Sequence, residues 1–194
     1  MKTRELTKVV FLDKDGVINE DSPDYIKSWA EVNFIPGSLE ALRRFELAGF
    51  TVILITNQSG INRGLMTQDA LAYMLTKMTH AVADAGGCIT DVFYCPHTPD
   101  ENCDCRKPRP GLINQACRAY AIDLPAACMI GDSAKDIECG LVAGCGCTIL
   151  VQTGNGPTAG QELKRKGIVP TYIATDLLDA ARWLIDNADA DPAA

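Results

Sequence analysis

The sequence predicts an α/β domain with a Rossmann-like, mostly parallel sheet and helices on both faces. Short apolar runs typical of buried strands alternate along the chain with segments whose apolar residues recur at helical spacing. Such alternation indicates βαβ units and a parallel sheet. The 194 residues contain no internal repeat or linker and are too few for two ordinary domains. We therefore expect one domain over residues 1–188 and a loose tail over 189–194.

Six short runs are predicted to form the strands. They are mostly apolar, several are rich in β-branched residues, and polar or glycine-containing sequence follows most of them. The runs are 9–12, 51–55, 92–94, 127–130, 148–151 and the segment around Tyr172 and Ile173. In a parallel sheet, the carboxyl ends of these strands form one rim, and ligands bind beyond it.

The segments between the strands carry helix signals. The first predicted helix begins near Ser38, has Leu39, Leu42 and Phe45 at helical spacing, and stops before Gly49. Glycine suits the position after a helix C-terminus because it adopts left-handed backbone angles readily. The remaining predicted helices are 67–85, 110–120, 134–143, a short charged helix between the last two strands, and 176–187.

Charge and cysteine content exclude several classes of protein. The chain has 18 basic and 25 acidic residues, a net charge of −7, which disfavours a nucleic-acid partner because phosphate contacts require basic residues. No apolar run approaches the roughly 20 residues that span a bilayer, and none near the start suits a signal peptide. Nine cysteines without an export signal indicate a reducing compartment. We therefore expect a cytoplasmic monomer with no nucleic-acid or membrane partner.

Three polar side chains follow predicted strands directly: Asp13, Thr56 and Asp132. The fold therefore brings them to one rim. The Asp13-x-Asp15-Gly16 sequence alone fits either a solvated acidic turn or a site. An EF-hand calcium loop is excluded because a strand, and not a helix, is predicted before these residues, and because the sixth and twelfth positions hold neither the required glycine nor glutamate.

These residues can carry phosphoryl transfer without a histidine. Carboxylates on adjacent loops can hold Mg²⁺, which prefers oxygen ligands. One carboxylate can attack phosphorus, and a second, two residues on, can exchange a proton with the leaving group and with water. A hydroxyl and a lysine can bind the phosphoryl oxygens as charge spreads over them. The residues that supply these groups are Asp13, Asp15, Thr56, Lys107 and Asp132.

At these positions the chain resembles the haloacid dehalogenase superfamily of phosphatases. The resemblance runs from about residue 9 to 154 and includes four motifs in order. The motifs are Phe11-Leu12-Asp13-Lys14-Asp15-Gly16, Ile55-Thr56-Asn57, Arg106-Lys107-Pro108 and Gly131-Asp132-Ser133-x-x-Asp136. The resemblance implies a Mg²⁺-dependent phosphatase that forms an aspartyl-phosphate intermediate and has no large cap domain.

The resemblance also implies a role for each motif residue. Asp13 is the nucleophile and a Mg²⁺ ligand, and Asp15 is the general acid/base whose backbone carbonyl contacts the metal. Thr56 and Lys107 hold the phosphoryl group. Asp132 is a further carboxylate on the metal.

For Asp136 several roles stay open. It can reach the metal through water, it can orient Lys107, or it can cap its own helix, 134–143.

A second cluster, Cys95, His97, Cys103 and Cys105, has the composition of a closed Cys₃His zinc site. The alternative is a loop of reduced thiols without metal. Four protein ligands leave no open position, so we expect Zn²⁺ to be structural and to rigidify the loop that presents Lys107. The other cysteines are predicted to be buried thiols: Cys88, Cys117, Cys128, Cys139, Cys145 and Cys147.

Within the superfamily, a zinc loop at this place resembles two groups, the phosphatases of heptose bisphosphates and those of histidinol phosphate. The sequences over 15–19, 56–64 and 105–111 look more like the heptose group. We therefore expect hydrolysis of the 7-phosphate of D-glycero-D-manno-heptose 1,7-bisphosphate, a step toward lipopolysaccharide precursors, with histidinol phosphate as the alternative substrate.

Loop residues are expected to select this substrate. Arg106 and Arg63 can pair with the second phosphate, and Asp21 and Tyr25 can bind sugar hydroxyls. For each residue the alternative is a side chain that faces solvent. The full expected set is Asp21, Tyr25, Asn57, Gln58, Ser59, Arg63 and Arg106.

Two interpretations from other classes are also open. One is a binding module that keeps the fold without catalysis, although all five catalytic side chains are present. The other is a zinc-containing phosphatase of nucleic-acid ends, although the zinc loop lacks surrounding basic and aromatic residues.

Overall fold

The computed structural model describes residues 5–6 and 8–188, and six α-helices and eight strands lie within them. The strands are β1 (Glu5–Leu6), β2 (Val9–Leu12), β3 (Thr51–Asn57), β4 (Asp91–Cys95), β5 (Ala121–Ile122), β6 (Cys128–Gly131), β7 (Cys147–Val151) and β8 (Tyr172–Ala174). The helices are α1 (Ser38–Leu47), α2 (Gln68–Asp84), α3 (Gly111–Ala119), α4 (Ala134–Ala143), α5 (Gly156–Lys166) and α6 (Leu177–Ala188). The predicted tail over 189–194 lies outside the described residues.

Six strands form one parallel sheet in the order β4-β3-β2-β6-β7-β8, which confirms the predicted fold class. Each predicted run became a strand, with ends that moved by one or two residues. β3 extends through Asn57 because it pairs with β4 as far as Cys95. A separate parallel pair, β1 with β5, was not predicted, because two residues per strand are too few to show periodicity.

The sheet separates two apolar layers, as helices on both faces require. Along β2, Val10 and Leu12 pack in the same cluster as residues of α1 and α6, whereas Val9 and Phe11 pack in the cluster that includes α3. All four side chains are buried. This run is therefore apolar throughout, as is typical of a strand covered on both faces.

Local signals set the helix ends. Gly37, with φ 86°, precedes α1, and Thr67 accepts a hydrogen bond from the backbone N–H of Ala70 at the start of α2. Gly144, with φ 92°, follows α4. The predicted helices therefore form with boundaries close to those expected.

Within the described residues, no additional domain covers the rim formed by the carboxyl ends of the strands. The long connection from β2 to α1 contains one 3-10 turn, Trp29–Glu31, and isolated bridges at Asn19. No helix among the described residues is long and apolar enough to cross a membrane. The prediction of buried thiols is wrong for Cys88, which is exposed because it lies in the connection between α2 and β4 and not on a packed face. Cys117 and Cys147 are only partly buried, and Cys128, Cys139 and Cys145 are buried.

Candidate active site

A cavity of about 410 Å³ opens at the carboxyl ends of β2, β3 and β6. Eleven of the residues that the sequence analysis assigned to catalysis or substrate binding line it, together with Asp136. These are Asp13, Asp15, Asp21, Tyr25, Thr56, Asn57, Gln58, Ser59, Arg106, Lys107 and Asp132. The structure does not bring Arg63 to this cavity, since its side chain is exposed and absent from the lining.

Lys107 lines the cavity and is almost fully buried. Its ammonium Nζ lies 2.9 Å from Asp13 Oδ1 and 2.6 Å from Asp136 Oδ1, and it donates a 2.7 Å hydrogen bond to the Ile55 carbonyl. Burial alone would lower the pKa of Lys107, but the two carboxylates raise it above its ordinary value. The lysine therefore stays cationic, with three acceptors in place.

Three carboxylates form a group at the site of Lys107. Asp13, Asp132 and Asp136 each offer an oxygen within 4.8 Å of the others. Burial raises the pKa of Asp13 to about 8 and that of Asp132 to about 6, with a further contribution from the neighbouring carboxylates. The site thus carries more negative charge than Lys107 offsets. Hard oxygen donors in this arrangement suit a divalent cation such as Mg²⁺.

Asp136 is fully buried and uses both of its oxygens. Oδ2 accepts hydrogen bonds from the Ser133 backbone N–H at 2.9 Å and from the Ser133 hydroxyl at 2.7 Å, which caps α4. Oδ1 faces the ammonium of Lys107. Of the roles open at the sequence level, capping and orienting the lysine are therefore both present.

Asp15 is held by a polar network that the sequence analysis did not foresee. Gln58 Nε2 donates to Asp15 Oδ2 at 2.8 Å and to the Thr56 hydroxyl at 2.9 Å. Asn19 Nδ2 donates to Asp15 Oδ1 at 2.9 Å, and the buried ammonium of Lys14 contacts the same oxygen. Lys14 lies between two aspartates at the end of a buried strand, which is the one sequence signal that could have indicated it.

Asn57 holds the backbone of Lys107. Its Oδ1 accepts a hydrogen bond from the Lys107 N–H at 3.1 Å, and its Nδ2 donates to the Lys107 carbonyl at 3.3 Å. These bonds join residues 50 positions apart in the chain. The side chain therefore places the lysine as well as lining the cavity.

Cys95, His97, Cys103 and Cys105 form a compact cluster beside the cavity. Their ligand atoms all lie within 4.8 Å of one another, and the three sulfur–sulfur distances are 3.5, 3.2 and 3.4 Å. His97 Nδ1 lies 3.5 Å from Cys95 Sγ and 3.2 Å from Cys105 Sγ. A tetrahedral ion with Zn–S bonds of about 2.3 Å would place its sulfurs about 3.8 Å apart. The four groups therefore fit a zinc ion after a small expansion.

Hydrogen bonds connect this Cys/His loop to the catalytic rim. Arg106 Nη1 donates to the His97 carbonyl at 3.0 Å, and Arg109 Nη1 donates to the Cys103 carbonyl at 2.8 Å. The order of the loop and the placement of Arg106 are therefore linked.

Asn155 is a site residue that no sequence motif indicated. Its backbone N–H and its Nδ2 donate to Asp132 Oδ2 at 2.8 and 3.0 Å, and Nδ2 also donates to Asp21 Oδ2 at 3.2 Å. The polar loop after β7, at the same rim, was the available signal.

Known proteins resemble this chain over almost its whole length. A family model described as HAD-hydrolase-like matches residues 104–180. The D-glycero-beta-D-manno-heptose-1,7-bisphosphate 7-phosphatase of Bordetella bronchiseptica is 42% identical over 183 residues, covering 93% of this chain and 99% of the relative. The enzyme of the same name from Pseudomonas aeruginosa is 45% identical over 178 residues, covering 91% and 97%.

A solved structure shares the fold. The crystal structure of D,D-heptose 1,7-bisphosphate phosphatase from B. bronchiseptica, complexed with magnesium and phosphate, superposes with a TM-score of 0.86 at 41% identity. The match covers 93% of this chain and 99% of that one. By sequence and by fold, the chain belongs to the D-glycero-beta-D-manno-heptose-1,7-bisphosphate 7-phosphatase family of HAD-like hydrolases.

Proposed function

We propose that this protein is a Mg²⁺-dependent phosphatase that removes the 7-phosphate from D-glycero-D-manno-heptose 1,7-bisphosphate. The observation that carries the proposal is the placement of Lys107 Nζ 2.9 Å from Asp13 Oδ1, on a rim that also holds Thr56 and Asp132. The names of relatives 37–45% identical to this chain support the substrate and favour its β anomer.

In the first half of the reaction, a carboxylate oxygen of Asp13 attacks the phosphorus atom of the 7-phosphate. The bond between phosphorus and the sugar oxygen breaks, and Asp15 gives its proton to the departing oxygen. The products are the heptose 1-phosphate and an aspartyl-phosphate on Asp13.

In the second half, Asp15 acts as a base. It takes a proton from a water molecule, whose oxygen attacks the aspartyl-phosphate, and inorganic phosphate leaves as the Asp13 carboxylate re-forms. Gln58 is suited to orient Asp15 for both steps, because it also contacts the Thr56 hydroxyl.

Thr56 and Lys107 bind the phosphoryl oxygens in both steps. Their hydrogen bonds strengthen as negative charge accumulates in the transition state. Asp13, Asp132 and the backbone carbonyl of Asp15 would hold Mg²⁺, which supplies positive charge to the same oxygens when it is bound.

We propose that loop residues lining the cavity bind the sugar and its second phosphate. In this proposal Arg106, which lines the cavity, pairs with the second phosphate through two parallel N–H donors. In the same proposal Asp21 and Tyr25 bind sugar hydroxyls, and Ser59 also lines the cavity. Tyr25 has φ 64°, an unusual value for a residue with a side chain, which is consistent with a functional constraint. The assignment of Arg63 to the second phosphate stays a prediction, because that residue is exposed outside the cavity.

In the proposed enzyme, Zn²⁺ is structural. Three thiols and one imidazole would complete its tetrahedron and leave no position for substrate. Its role is to fix the loop that ends in Arg106 and Lys107. We further propose a cytoplasmic monomer that acts in the synthesis of lipopolysaccharide precursors.

The test is phosphate release, with Mg²⁺, from both anomers of heptose 1,7-bisphosphate and from histidinol phosphate. We expect kcat/KM to be highest for one heptose anomer. A preference for histidinol phosphate would overturn the substrate assignment, and no release from any of the three would overturn the proposed activity.

A further inference from the structure

The segment between β7 and α5 is packed tightly against the turn that follows β2. The Thr153 hydroxyl donates a 2.6 Å hydrogen bond to the Gly16 carbonyl. Gly16 and Gly154 both have positive φ, and a Cβ on either would overlap the Asp132 carboxylate. The backbone of the segment is therefore in fixed contact with the catalytic rim.

Asn155 ends this segment and supplies two donors to one oxygen. Its backbone N–H and its side-chain Nδ2 both bind Asp132 Oδ2, at 2.8 and 3.0 Å. Nδ2 also reaches Asp21 Oδ2 at 3.2 Å. Although Asn155 is exposed, it connects the buried carboxylate of Asp132 to the carboxylate of Asp21, which lines the same cavity.

A helix-capping role does not account for this side chain. Asn155 occupies the N-cap position of α5, but its side chain makes no capping hydrogen bond to that helix. Its amide donors are used on the two aspartates instead. The side chain therefore faces the active site and not the helix that it precedes.

We infer that Asn155 is a positioning residue that fixes the orientation of Asp132 for the catalytic cation and links Asp132 to Asp21. Rotation of the carboxylate out of this orientation would break both bonds to Asn155, so one of its oxygens stays with the asparagine. Among the described residues, Oδ1 receives no hydrogen-bond donor and remains available to a cation. Groups that orient metal ligands in this way typically change metal affinity by about 10–100-fold.

The inference rests on the Mg²⁺ dependence in the proposed function, and the test separates the two. We would measure Mg²⁺ binding to the substrate-free enzyme by isothermal titration calorimetry for the wild type and Asn155→Ala. Asn114→Ala is the matched control, because Asn114 is exposed on α3. Thermal denaturation and zinc content are recorded for each protein.

We expect the Kd for Mg²⁺ to rise about 10-fold or more in Asn155→Ala and to stay within twofold in the control. Saturating Mg²⁺ should then restore kcat of Asn155→Ala toward the wild-type value, which a collapsed site would not allow. Asn155→Leu keeps the side-chain size without its donors, and should show the same loss if Asn155→Ala does not fold. Wild-type affinity in either folded variant would overturn this inference alone, whereas a wild type that binds no Mg²⁺ would overturn the proposed function as well.

Discussion

Replacing Asp136 with asparagine tests whether this residue orients the catalytic lysine or only caps a helix. Asp136 is 0% exposed and Lys107 is 2% exposed, and their charged atoms are 2.6 Å apart. In Asp136→Asn, the amide oxygen can still accept from Ser133, so the cap survives. The amide nitrogen then faces the ammonium of Lys107, and two donors oppose each other without an acceptor.

The expected loss follows from these contacts. Removing one partner of a buried ion pair costs about 3–5 kcal/mol. Lys107 keeps Asp13 and the Ile55 carbonyl, so we expect a somewhat smaller loss, about 2–4 kcal/mol. For a chain of this length, that corresponds to a fall in Tm of roughly 4–16 °C. Since Lys107 also loses its fixed position, kcat/KM should fall at least about 100-fold.

The assay is urea unfolding of the wild type, Asp136→Asn and the exposed control Asp186→Asn, together with steady-state kinetics. A shift in the midpoint at constant m-value reports a change in the free energy of unfolding. A loss below about 1 kcal/mol, with kcat/KM within threefold of the wild type, would mean that capping is the whole role and would refute the reasoning.

Three other predictions concern the metals and the nucleophile. Asp13→Asn should abolish turnover while Tm and zinc content stay near wild-type values. Wild-type activity in this variant would contradict the assignment of Asp13 as the nucleophile. Cys103→Ala should unfold at a lower temperature, and metal analysis should find it without zinc. If metal analysis finds no zinc in wild-type protein purified without chelator, the structural zinc site is contradicted. The raised pKa values of Asp13 (about 8) and Asp132 (about 6) mean that the metal-free native state binds more protons than the unfolded chain between about pH 4 and pH 8. Stability of the metal-free protein should therefore fall as pH rises through that window, and Mg²⁺ should raise Tm more at pH 8 than at pH 5; an equal rise at both pH values, by thermal denaturation, would contradict this.

The sequence predicted which side chains lie together at the rim, because their positions follow one rule. Asp13 and Asp132 directly follow strands, Thr56 stands at the end of another, and the carboxyl ends of parallel strands meet at one rim. The cysteine cluster was equally visible, since its four members lie within 11 residues. Local spacing was enough in both cases.

Contacts between distant segments were beyond the sequence. Asn155 reaches Asp21 across 134 positions, and its place in a polar loop after a strand indicates the rim but not which carboxylates it binds. The assignment of Arg63 depended on which way a loop side chain points, which is a tertiary property. The burial predicted for Cys88 was wrong because composition does not reveal which thiols lie in turns.

The short distance along the chain from the Cys/His loop to Lys107 has a consequence for inhibition. Cys105 lies two residues before the lysine, and Cys103 and Cys105 are only partly buried. An alkylating or mercurial reagent that modifies these sulfurs would displace the lysine without reacting with any group that takes part in phosphoryl transfer. Inactivation by such reagents is commonly interpreted as evidence for a cysteine nucleophile. In this enzyme it would instead indicate damage to the Cys/His loop that positions Lys107.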